Sequence, residues 1–170
     1  MKELFTPLQA LAYWIGYQHE IYPFYHIPEL AITSELSRLL SLSLSNSYVI
    51  KVEYDYKKIC KNAPKSKRVD IYLEVRDNNN INNVAIEVKR YKPKQIIKDI
   101  DKMRYLKSTN LSKYMIITSE MKFPSDFVKT SNGKRSLDEK YNGCKVKRVL
   151  KASHSFSSKN CNYVILLEII

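Results

Sequence analysis

Only three glycines, three cysteines and one tryptophan occur among the 170 residues. With glycine so scarce, no Gly-rich phosphate-cradling loop is present. Cys60, Cys144 and Cys161 are too few and too scattered for a zinc site or a four-thiolate cluster, and read as thiols in a reducing compartment. No apolar run reaches the ~18 residues that a membrane helix needs, and Met1–Leu4 leads into no signal-peptide pattern. An intracellular protein without membrane association is expected. Internal repeats are absent, and low complexity is confined to Asn78–Asn80.

Acidic residues are also short in supply. The chain carries 29 Lys and Arg against 17 Asp and Glu, a net charge of +12. Residues 1–47 hold two basic and four acidic side chains, so the whole excess lies in residues 48–170, with 27 basic against 13 acidic. Such a field concentrates polyanions and speeds their encounter, and phosphate neutralisation by Lys and Arg supplies most non-specific nucleic-acid affinity. A solvated, soluble surface explains the same composition equally well. The length suits one domain with its own core, 1–170.

Against this background, Arg68–Tyr91 places charges where strands should bury apolar residues. Arg68–Arg76 and Val84–Tyr91, separated by an Asn-rich turn, read as an antiparallel hairpin. Alternation puts Val69, Ile71, Leu73 and Val75 on one face and Asp70, Tyr72 and Glu74 on the other. In the second strand Val84, Ile86 and Val88 form the apolar side, and Glu87 and Lys89 project together opposite. If the two polar faces coincide, Asp70, Glu87 and Lys89 converge.

The flanking segments have clear periodicity. Pro7–Glu20 carries Leu8, Leu11, Ala12 and Ile15 at helical spacing. A second helix is expected from Thr33 or Ser34, both suitable N-caps, through Leu36, Leu39, Leu40 and Leu44, with Glu35 and Arg38 on its other side. Tyr48–Tyr56 alternates as a half-buried strand in which Glu53 and Asp55 are on the polar side. Between it and the hairpin lies the loop KKICKNAPKSKR, whose Lys61, Lys65, Lys67 and Arg68 read as phosphate contacts or as a solvated turn. Pro93–Lys107 opens with Pro near N1 and aligns Ile96, Ile97, Ile100, Met103 and Leu106, leaving Lys94, Lys98, Asp101, Lys102 and Arg104 outward. Lys113–Ser119 is a short apolar strand, and the β–α–β order makes it parallel to the Glu87 strand. Met121–Gly143 is a polar insert. Cys144–Leu150 and Tyr163–Ile170 read as two final strands.

An acid on one strand followed by Glu87-Val88-Lys89 on the next resembles the PD-(D/E)XK nuclease superfamily, over roughly Thr33–Thr118. The triplets Asp55-Tyr56-Lys57, Glu120-Met121-Lys122 and Asp138-Glu139-Lys140 share the spacing, but only Glu87-Val88-Lys89 sits in an apolar run between an acid-bearing strand and an amphipathic helix. The family's proline is absent, Val69 standing before Asp70. The resemblance implies an α/β fold with a restriction-endonuclease-like αβββαβ core (33–118), a central mixed sheet flanked by helices, N-terminal helices in 1–47 and extra strands in 119–170. It further implies a Mg²⁺- or Mn²⁺-dependent nuclease acting on DNA. Asp70 and Glu87 would be metal ligands with the Val88 carbonyl, Lys89 a catalytic amine, and Glu35 an accessory acid from the preceding helix, with Glu20 or Glu53 as substitutes. Lys94 and Lys98 belong to a helix face that the family turns toward DNA. Gln95 matches the glutamine of RecB-type members, but Asp99 stands where their tyrosine belongs, which weakens an exonuclease assignment; the missing cysteine quartet argues against their iron–sulfur branch.

The chemistry is consistent with those residue types. Phosphodiester hydrolysis needs an activated water and stabilised phosphoryl oxygens, which one or two Mg²⁺ ions held by two carboxylates and substrate phosphate supply. Lys89 cannot bind a metal and would act through its charge. Double-strand cleavage with one site per chain favours a homodimer. Two other readings stay open: a catalytically inactive, basic nucleic-acid-binding or assembly subunit, and an RNA-directed nuclease. His19, His26 and His154 are too scattered to suggest a metal-free histidine-pair RNase.

Overall fold

The computed structural model describes residues 2–44, 48–64, 66–76, 82–120, 142–152 and 161–170. A 3₁₀ turn at Lys2–Leu4 leads into helix α1 (Phe5–Ile21). Its stripe of Leu8, Leu11, Ala12 and Ile15 is fully buried, each of the larger side chains contributing ~1.5–3 kcal/mol by leaving water. Helix α2 spans Glu29–Ser43, four residues earlier than Thr33. Its N-cap is Pro28, with φ −62° and no side-chain cap bond, and Thr33 and Ser34 lie inside the helix. Packing of Ile32, Leu36 and Leu40 fixes this entry in place of a cap.

Strands β1 (Tyr48–Asp55), β2 (Arg68–Val75), β3 (Asn83–Arg90), β4 (Leu111–Ser119), β5 (Cys144–Ala152) and β6 (Asn162–Ile169) form one mixed sheet in the order β1-β2-β3-β4-β6-β5. Only β3 and β4 pair in parallel, joined by helix α4 (Pro93–Arg104); β1/β2, β2/β3, β4/β6 and β5/β6 are antiparallel. A one-turn helix α3 (Tyr56–Ile59) lies between β1 and β2. Thus α2 to β4 follow one another as helix, three strands, helix, strand, with α3 as the one addition.

The sheet separates two cores. On one face Leu8, Leu11, Ile15, Ile32 and Leu36 meet Ile71, Ile86, Val88, Ile116 and Leu166. On the other, Ile96, Ile100, Met103 and Leu106 meet Ala85, Met115, Ile117, Ile165 and Leu167. Burial on both sides explains why β4 and β6 read as almost unbroken apolar runs. Among the described residues no helix is long and apolar enough to cross a membrane.

Three placements differ from the sequence expectations. Tyr56 does not end β1; it opens α3 and is fully buried. Val69 leaves the face of Ile71 and Leu73 and packs with Tyr72 on the α4 side, so strict alternation fails around Asp70. Ile97 is 40% exposed and stands outside the α4 stripe. The Asn-rich turn, most of the 121–143 insert, the Ser-rich 153–160 turn with His154, and Lys65 lie outside the described residues.

Candidate active site

Asp70 sits where the strands part. The β2/β3 ladder is Leu73–Val84, Tyr72–Ala85 and Ile71–Ile86, and the next pair in that register, Asp70 with Glu87, is missing from it. On the other side of β2 the β1 ladder also skips the position opposite Asp70, where Glu53 has a left-handed φ of +50°. This local irregularity is what moves Val69 to the other face. The Asp70 side chain takes up the opening: its Oδ2 accepts the Val88 N–H over 2.6 Å. Val88, expected as a carbonyl ligand, is therefore tied to Asp70 through its amide.

Glu87 is completely buried. Its Oε1 accepts two hydrogen bonds, from the Tyr56 hydroxyl at 3.0 Å and from the Lys102 ammonium at 2.7 Å. Its Oε2 is buried with no hydrogen-bond partner. Burial, followed by the like charge of Asp70, pushes the Glu87 carboxyl up to about 7, and Lys102 and Tyr56 restrain the rise. The same burial and the neighbouring Glu87 carboxylate raise the Tyr56 hydroxyl.

Lys89 completes the group. Its Nζ is 3.2 Å from Glu29 Oε2 and 3.9 Å from Asp99 Oδ2, with 18% of the side chain exposed. Burial pulls the ammonium down, but Asp70, Asp99 and Glu29 outweigh it, and the pKa is raised. Lys89 is held as a cation. Burial raises the Asp99 carboxyl, against the pull of Lys89 and Lys102.

The acid that α2 brings to this site is Glu29, whose Oε1 also accepts the Arg90 N–H at 3.4 Å. Glu35 instead forms a two-pronged pair with Arg38, at 2.6 and 2.9 Å, on the side of α2. Glu20 and Glu53 are exposed. The helix begins four residues earlier than its sequence signals suggest, and the acid that meets Lys89 and Arg90 comes from its first turn, not its second. Lys102 and Asp99 also escaped the reading of α4 as an outward basic face: they are three residues apart and flank the Ile96–Ile100–Met103 stripe on the side toward Glu87. The leading acids of two other triplets are engaged elsewhere. Asp55 pairs with Arg68 at 3.2 Å, and Asp138–Lys140 is outside the described residues. Glu120 takes His19 and His26, each at 3.2 Å, and Arg90 at 3.0 Å. This node fastens α1 and the turn after it to the ends of β3 and β4.

Asp70, Glu87, Asp99 and Glu29 bring four carboxyl groups to Lys89 and Lys102, an excess of two acids over ammonium groups. Together with the unpartnered Glu87 Oε2, that excess fits a divalent cation. No three His, Cys, Asp or Glu side chains form a ready-made ligand set among the described residues. Mg²⁺ does not require one, since it retains several waters and is held by one or two carboxylates plus substrate phosphate.

Of the expected phosphate contacts, Lys94 and Lys98 on α4 and Lys61 in the loop are exposed. Lys67 lies 5.2 Å from the Tyr105 ring centre, and Arg68 is exposed beside Asp55. Lys57, Lys58 and Lys67 line a recess of about 320 Å³ next to β2. A larger cavity of about 490 Å³, between α1 and β5, is remote from these carboxylates and lined by Phe5, Tyr13 and Arg148 among others. Comparison with protein-family models, curated proteins and solved structures gives no match.

Proposed function

We propose that this protein is a divalent-metal-dependent nuclease that hydrolyses DNA phosphodiester bonds, an endonuclease of the restriction-like or resolvase-like kind, on a restriction-endonuclease-like core. The observation that carries the reading is the buried, unpartnered Glu87 Oε2 beside Asp70, in a cluster with more carboxylates than ammonium groups. A purely structural ion-pair ladder would match its acids with as many basic groups. The αβββαβ order from α2 to β4 supports the same reading.

Asp70 and Glu87 are the residues that would hold Mg²⁺ or Mn²⁺. When bound, such an ion supplies Lewis-acid activation of water and stabilises charge on the phosphoryl oxygens. In this reading Lys89, protonated and braced by Glu29 and Asp99, would stabilise negative charge on the phosphate and would not accept a proton. Lys94, Lys98 and Lys61 extend the basic surface along which a polynucleotide backbone would lie.

The test is incubation with supercoiled plasmid and Mg²⁺ or Mn²⁺, alongside Asp70→Ala and Lys89→Ala. Nicking or linearisation by the wild type, lost in both variants and in EDTA, supports the proposal. Undiminished cutting in both variants removes it. Salt-sensitive DNA binding without cutting, unchanged by either substitution, would replace it with a binding subunit, and cleavage of RNA alone would change the substrate.

A further inference from the structure

The two donors to Glu87 share one acceptor atom. A carboxylate oxygen has two lone-pair positions, and at Oε1 they are taken by the Tyr56 hydroxyl at 3.0 Å and the Lys102 ammonium at 2.7 Å. The donors also brace each other, the Lys102 Nζ lying 5.2 Å from the centre of the Tyr56 ring. Turning the carboxylate to face a cation with both oxygens would break both bonds inside a buried site. Asp70 is restrained in the same way, with Oδ2 committed to the Val88 N–H at 2.6 Å. Each acid is thereby left with one unrestrained oxygen.

That restriction discriminates between cations of equal charge. Mg²⁺ is small and octahedral, with oxygens at 2.0–2.1 Å, and is held by one or two carboxylates with several waters, whereas Ca²⁺ takes six to eight oxygens at 2.3–2.6 Å and often draws both from one carboxylate. Building on the metal-centre reading above, we infer that Tyr56 and Lys102 are positioning residues that confine Glu87 to a single coordinating oxygen and so make the site select Mg²⁺ or Mn²⁺ over Ca²⁺. Neither residue touches the ion. Their effect is on the shape that Glu87 presents to it.

The test is calorimetric titration of the intact protein with Mg²⁺, Mn²⁺ and Ca²⁺ in the absence of DNA, which reads affinity without relying on cleavage. The wild type is expected to bind Mg²⁺ and Mn²⁺ more tightly than Ca²⁺. In Tyr56→Phe/Lys102→Met, affinity for Ca²⁺ relative to Mg²⁺ should rise about tenfold, the scale of one charge-assisted hydrogen bond, and Lys102→Arg should retain most of the discrimination. Removing the Lys102 charge strengthens both divalent ions alike and cancels in the ratio, so a general loosening of the site cannot imitate the result. Tyr56→Phe alone, which deletes one oxygen, should shift the ratio the same way by a smaller factor and serves if the double variant does not fold. An unchanged ratio in a folded variant overturns the inference and leaves the metal centre standing. Absence of saturable binding of all three ions to the wild type, both alone and with a non-hydrolysable phosphorothioate duplex supplying the phosphate ligand, overturns the metal centre itself.

Discussion

Glu87 gives the most direct test of the site's electrostatics. Its carboxyl is raised from 4.5 to about 7, and a shift of that size corresponds to about 3 kcal/mol. The sign follows from proton binding. Between pH ~4.5 and ~7 the folded chain retains a proton that the unfolded chain has released, so the Glu87 contribution lowers stability as pH rises through that window and is constant above it. Glu87→Gln keeps the shape and an oxygen for Tyr56 and Lys102 but has no charge to bury. Urea unfolding in EDTA at pH 4.5, 5.5, 6.5 and 7.5 should show the variant gaining about 3 kcal/mol on the wild type across the series. The corresponding melting temperatures should diverge by roughly 6–12 °C for a chain of this size. Asp70→Asn, which removes the like charge, should flatten the wild-type pH dependence in part. A difference between wild type and Glu87→Gln that stays constant with pH would refute the claim that Glu87 is buried in a site with surplus negative charge.

Two further outcomes follow from the placement of the charges. Glu29→Gln removes the charge facing Lys89 and leaves one oxygen for the two donors Lys89 and the Arg90 amide, and should slow plasmid cleavage at least tenfold, about the effect of losing one charge-assisted contact, whereas Glu35→Gln should cut at the wild-type rate; equal losses in both would return the accessory role to the second turn of the helix. Lys94→Ala/Lys98→Ala should weaken DNA binding at every sequence tested and reduce the slope of log K against log salt by about 2, measured by fluorescence anisotropy; an unchanged slope would place the phosphate path away from α4.

Much of the architecture was legible because the signals are local. Period-two and period-3.6 patterns, with unbroken apolar runs for β4 and β6, mark the six strands and three long helices among the described residues, and the Val84–Thr118 order requires the parallel β3/β4 pair that is found. The hairpin order also put Asp70 close to Glu87 and Lys89, although Asp70 meets them where strict alternation breaks. What escaped depends on contacts distant in sequence. Thr33 and Ser34 have the chemistry of helix caps, yet Pro28 and three buried apolar residues start α2 earlier, so Glu29 replaced Glu35 at the site. Lys102 looked like part of a solvent-facing helix side because its spacing there is unremarkable, and only the depth of Glu87 gives its ammonium a reason to turn inward. The departure of Val69 from its face has no signal in strand periodicity, since it arises from the irregular β1 backbone at Glu53.

The sheet ends at β5, where Lys145, Arg148 and Lys151 are exposed and the pairing with β6 slips between Val146 and Arg148. Outer strands with unsatisfied amides invite another chain to add on, and lysine-rich, bulged margins discourage it. Two molecules meeting margin to margin would bring like charges together along kinked backbones. Continuous intermolecular sheet through this border is therefore disfavoured, which guards a concentrated basic protein against fibrous association along that side.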